Sequence, residues 1–228
     1  MEKIKKVSGI LILFSVITVF IALIITLQFD IALNPSELGS EIMGKTLQNV
    51  AEFSKAHVTE LIFDELSDFA IVAFAALLYI VFSKHNRAAA LVGSVCFLAG
   101  GIIMAAHNMG NFALTRIAND YVAATGTKAD TLEVAASAVL LTAKSGVPIG
   151  SAFIVLGVLL YGIVVTRVSR FVGWFGIIGG ILALIAIPIG WISPQLEMIS
   201  IRLYFPMMIW EILFGIWLIS TKKLVQAD

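Results

Sequence analysis

The sequence predicts an all-α integral membrane protein, a bundle of six transmembrane helices with both termini in the cytosol. Three observations predict it. Hydrophobic residues make up 60% of the 228 and charged residues only 13%, against roughly 45–50% and about 25% in soluble domains. With a mean hydropathy of +1.01, a water-soluble fold of this size would have no interior large enough for its apolar surface. Apolar runs of about 20 residues, enough to cross roughly 30 Å of hydrocarbon, recur along the chain. Basic residues gather in alternate connections, as the positive-inside rule requires of cytosolic loops.

The first run, about residues 7–27, follows Lys3, Lys5 and Lys6. That layout resembles a secretory signal, but a signal core is nearer 7–15 residues and ends at a small-residue cleavage site. No such site follows, so the run is read as a retained anchor. The connection 28–60 opens with Asn34-Pro35-Ser36, a turn and helix-start signal. After it Ile42, Met43, Leu47, Val50, Phe53, Ala56 and Leu61 recur at three- and four-residue steps. This predicts an amphipathic helix over 40–60 that either lies on the membrane or caps the bundle.

The second and third spans, 61–83 and 88–113, are joined by a very short basic turn and must form a tight hairpin. The connection 114–146 reads as helical after Gly126, with an alanine-rich stretch Val134–Ala143. A kink is expected near Gly146-Val147-Pro148, where proline removes a backbone donor. Spans four to six follow at 147–166, 171–192 and 199–220, giving one transmembrane domain over 1–228 with no internal repeat. The runs are too long and too continuous for barrel strands, which alternate over about ten residues. Small residues four apart, Gly146 with Gly150 and Gly176 with Gly180, are expected to serve packing within one bundle.

Sidedness follows from Lys3, Lys5, Lys6, Lys84, Arg87, Arg167, Arg170, Lys222 and Lys223, whose loops contain only Glu2 and Asp228 as acids. These loops are assigned to the cytosol and the bilayer to the plasma membrane of a prokaryote. The formal net charge is zero, which gives nucleic acid nothing to bind, and one cysteine, Cys96, excludes a disulfide framework.

Ionisable residues inside spans are costly and mark functional positions. Counting from the nearest cytosolic charge at 1.5 Å per residue, Asp68 lies about 24 Å up, Asp64 and His107 about 30 Å, and Lys144 about 34 Å. Glu211 lies at about 16 Å, near the midplane. Asp64, Asp68, His107, Asn108, Asn111 and Lys144 therefore share the outer third, with Glu211 deeper. If the helices meet, they enclose an outward-facing polar cavity floored by Glu211. Against this stands a plainer reading, in which the outer group is a hydrated rim neutralised by Lys144 or Arg202.

His57, Glu60, Asp64 and Asp68 also fall near one helical face, and with His107 they offer nitrogen and oxygen donors to zinc or manganese. No paired motif such as H-E-x-x-H accompanies them, so neither a metal nor a cofactor is assigned. The nucleophile elbow, P-loop and dinucleotide fingerprint are also missing. Three functions remain open: binding or transport of a small molecule or ion, a non-catalytic accessory or sensor role, and an intramembrane metal-dependent hydrolase. The lipid bilayer is the one certain partner.

Three stretches carry a family likeness: Ser67-Asp68 with Leu77-Leu78-Tyr79 and Lys84–Arg87; Lys144-Ser145-Gly146 ahead of Gly150 and Gly157; and Glu211–Leu218. In these the chain resembles the six-span prokaryotic membrane proteins defined by a domain of unknown function, DUF4386-like. A histidine is expected in that family where this chain has Lys144. The resemblance implies the topology and no particular activity.

Overall fold

The structure, a computed structural model, describes residues 1–29, 40–192 and 196–221. The described residues form helices only: α1 (Glu2–Phe29), α2 (Ser40–Glu52), α3 (Ser54–Phe82), α4 (Arg87–Tyr121), α5 (Thr127–Thr166), α6 (Arg170–Ile192) and α7 (Glu197–Ser220). All but α2 are long and apolar enough to cross a membrane, which gives six spans. In lipid a helix satisfies its own backbone polar groups. Span hydroxyls join in, as Ser8, Thr26, Thr142, Ser145 and Ser220 each donate to the carbonyl four residues back. Large apolar side chains such as Ile10, Phe69, Val95, Trp174 and Ile216 are exposed, as lipid contact demands.

The chain divides into two compact units, with α1, α3, α4 and α5 each contributing a segment to both. The first comprises Met1–Ile17, Ser67–Ile102 and Pro148–Asp228. Its core is aromatic. Phe74 meets Phe97 edge-on at 5.3 Å, Phe97 stacks on Tyr161 at 5.7 Å, and Trp210 stacks on Phe214 at 4.8 Å. A buried hydroxyl pair ties three helices here. Ser94 donates to the Ala75 carbonyl at 2.7 Å and lies 2.6 Å from the Tyr161 hydroxyl, which also reaches the Ala90 carbonyl at 3.2 Å. The indole of Trp210 donates to the Val172 carbonyl at 2.9 Å.

The Gly176–Gly180 pair is spent on such contacts. A Cβ on Gly176 would meet the Trp210 ring at 2.5 Å, and one on Gly180 would meet Leu159 at 2.7 Å. Packing within the chain accounts for both positions, as expected.

The basic turns also belong to this unit. Arg167 donates to the His85 carbonyl at 2.8 Å, joining the α3–α4 turn to the α5–α6 turn. Burial, and then the Arg167 charge, hold the His85 imidazole below the usual histidine range. Lys5 is 1% exposed, pairs with Glu2 at 3.0 Å and donates to the carbonyl of Thr221.

The second unit comprises Thr18–Leu66 and Ile103–Val147. Here the amphipathic prediction resolves to a cap: Met43, Leu47 and Val50 of α2 pack against Leu114 and Ala118 of α4 and Ala136 and Leu140 of α5. The helix ends at Glu52 rather than running on, and α3 begins at Ser54. The turn expected at Asn34-Pro35-Ser36 lies outside the described residues, as do Lys222, Lys223 and Asp228. The third span is longer than predicted, because residues 114–121 continue α4 to hold α2. The Tyr121 hydroxyl donates to Glu133 at 2.6 Å, closing the α4–α5 turn, in which Gly126 takes a positive φ of 58°. The helix α5 runs on through Pro148, the proline beside which the sequence suggested a kink.

Candidate functional site

His57, Glu60 and Asp64 descend one side of α3, since steps of three and four residues keep to one helical face, and Glu65 adjoins Asp64. Their counterparts are His107, Asn108 and Asn111 of α4, with Thr26 of α1 at the edge. All eight residues belong to the second unit.

Asn108 is fully buried, and its amide donates to the carboxylates of both Asp64 and Glu65. His107 stands close enough to Asp64 for their charges to interact. Its Nε2 lies 3.2 Å from the Asn111 amide nitrogen; there the amide donates and Nε2 accepts, which places the neutral imidazole's proton on Nδ1. The Thr115 hydroxyl donates to the Asn111 carbonyl at 3.2 Å. Further along, the Thr26 hydroxyl lies beside the Glu60 carboxylate, its proton donated to the Ala22 carbonyl. His57 is 2% exposed, faces the Asn111 backbone and has Nδ1 3.6 Å from Glu60. From His57 to Asp64 the seam runs about 10 Å along the helix.

The seam is acidic and incompletely satisfied. No described lysine or arginine pairs with Glu60, Asp64 or Glu65. Both ring nitrogens of His57, Oε2 of Glu65 and Oδ1 of Asn111 are buried without a hydrogen-bond partner. Buried polar groups in native proteins are nearly always hydrogen bonded, so several orphans along one seam single it out as the candidate site.

Of the residues singled out from the sequence, Asp64, His107, Asn108 and Asn111 are brought together. Asp68, which is 4% exposed, and Glu211 belong to the first unit. Glu211 is half-buried on α7 beside Trp210 and makes no hydrogen bond or ion pair with the described residues. Lys144 falls within α5, and its side chain lies outside the described residues. Glu65 and Thr26 were missed, although Glu65 adjoins Asp64 and shares its depth. Among the described residues no group of three or more His, Cys, Asp or Glu is placed to hold a metal ion. The zinc or manganese donors weighed from the sequence are spread along α3 rather than gathered at one point.

A cavity of about 580 Å³ lies between α4 and α5 in the same unit. Its walls include Ala106, His107 and Gly110 of α4 and Ala138, Thr142 and Gly146 of α5. Small residues keep the two helices close: a Cβ on Gly110 would meet that of Ala143 at 2.7 Å.

These helices define a multi-pass membrane protein of six spans. Residues 7–221 match the family described as a domain of unknown function, DUF4386, and the chain belongs to that family. No curated protein and no solved structure matches it.

Proposed function

We propose that the protein is a membrane-embedded binding or transport protein for a small cation rich in hydrogen-bond donors, held at the seam between α3 and α4. The observation that carries this reading is the pair of buried oxygens without a hydrogen-bond partner, Glu65 Oε2 and Asn111 Oδ1, on a seam lined by buried carboxylates. Carboxylate and amide oxygens accept only, and a neutral imidazole has one accepting nitrogen. At the Glu65 and Asn111 oxygens the unmet demand is therefore for donors, beside three carboxylates that no described lysine or arginine pairs with. An ammonium group offers three donors and a positive charge. The packing of the α2 apolar face on α4 and α5 takes away the amphipathic surface that favoured the sensor alternative.

The proposed setting is the plasma membrane of a prokaryote, with both termini cytosolic and the seam toward the outside. The basic turns support this sidedness by the positive-inside rule.

The test is thermal unfolding of the full chain in detergent with methylammonium chloride, using sodium chloride at equal ionic strength as control. A ligand bound only by the native state raises the unfolding midpoint with concentration. Methylammonium is expected to do so for the wild type and not for Asp64→Asn. An equal response to both salts overturns the proposal.

A further inference from the structure

We propose that the natural ligand is a single-chain amphiphilic amine that enters from the lipid through the groove between α4 and α5. This rests on the reading of the seam as an ammonium site and adds the chemistry of the rest of the molecule. The link is His107. It lines the groove and, through Asn111 and Asp64, belongs to the seam. One residue thus forms the wall between an apolar slot and an acidic strip.

The groove has the lining of a chain-binding slot. Apart from His107 and Thr142, its ten lining residues are Ala, Gly, Ile or Val. The Thr142 hydroxyl is already donated to the Ala138 carbonyl at 2.9 Å, so its methyl is what it adds to the surface. A volume of 580 Å³ falls within the roughly 300–1,000 Å³ of small-molecule sites. Ala106, Ala113, Ala138 and Thr142 are exposed, and so are the neighbouring Met109, Val134 and Leu141. The slot therefore opens on a surface that is itself apolar, as an entry from lipid requires. A fatty acid would meet Asp64 and Glu65 with a like charge at the His107 end, and an uncharged hydrocarbon would leave the seam's acceptors unmet. A primary amine on an apolar chain satisfies both halves.

The experiment uses the full chain in lipid nanodiscs and two photoreactive probes, a long-chain primary amine and the fatty acid of equal chain length. Each carries a diazirine at mid-chain, and cross-linked peptides are mapped by mass spectrometry. The amine is expected to label residues 103–113 and 138–146 at least tenfold more than the fatty acid. In Asp64→Asn the ratio should fall towards one; should that variant fail to fold, Glu60→Gln is read the same way. Equal labelling by the two probes in the wild type, or amine labelling spread over other spans, overturns the inference. The response to methylammonium separates the two failures: a wild type stabilised by methylammonium but labelled equally keeps the seam and loses the groove. No response to methylammonium removes the reading on which the groove depends.

Discussion

The ammonium of Lys5, in the first turns of α1, donates to the carbonyl of Thr221, the residue that caps α7. The start of the first span and the end of the last are therefore held together within one unit. Carbonyls at a helix C-terminus lack intrahelical donors and carry the negative end of the dipole, so a buried cation is well placed there. Lys5→Met keeps the apolar stem and removes the donor. It is expected to cost about 1–3 kcal/mol, the range for a hydrogen bond to a charged group, read as a lower unfolding midpoint in detergent. Glu2→Gln, at a more exposed partner, should cost less than about 1 kcal/mol. An unchanged midpoint in Lys5→Met would refute the contact.

Tyr161→Phe removes a hydroxyl that serves Ser94 and Ala90 in a buried core. The expected loss is about 1–2 kcal/mol, since a buried partner is left unsatisfied. Ser94→Ala should cost at least as much, because it also strips the Ala75 carbonyl of a donor. The double variant should cost less than the sum of the two, as residues in one network do not add; strict additivity would show that the hydroxyls act separately.

His85 titrates below the usual 6.5 because burial, and secondarily Arg167, disfavour its charged form. As pH falls below 6.5 the unfolded chain takes up a proton that the folded chain still refuses. Stability therefore drops through that window until the folded pKa is reached. An NMR titration of the ring is expected to give a midpoint below 6.5. Arg167→Gln should raise that midpoint without restoring it fully, because burial is the larger cause. A wild-type midpoint at or above 6.5 would contradict the described surroundings.

Glu211 sits on a span with no hydrogen bond or ion pair to the described residues. A carboxylate in that position is costly. Glu211→Leu is expected to stabilise the protein by about 1–3 kcal/mol, measured by thermal or denaturant unfolding. A loss of stability would mean that the carboxylate has a structural partner.

Much of this was legible in the sequence because lipid simplifies the reading. Runs of apolar residues must be helices, and counting from Lys84, Arg87 and Arg167 placed Asp64 and His107 at one depth. Depth says nothing about rotation, however. Asp68 was placed in the same outer third and belongs to the other unit, while Glu65 was overlooked. Lys5 was counted as one loop cation among several, because its acceptor is 216 residues away. The tail of α4 escaped notice because residues 114–121 are too polar to read as a span. Its apolar face is made by Leu114, Ile117 and Ala118, which pack in the cluster with α2.

The Ser94–Tyr161 pair bears on how the chain is assembled. Ser94 reaches Ala75 across the α3–α4 hairpin, so that contact can form as soon as the ribosome has delivered two neighbouring spans. Tyr161 emerges 67 residues after Ser94 and would enter the bilayer with a phenol to satisfy. The finished hairpin already presents its acceptors, the Ser94 oxygen and the Ala90 carbonyl. The order of synthesis thus matches the order of need, with an early hairpin serving as the template on which a later helix finds its register.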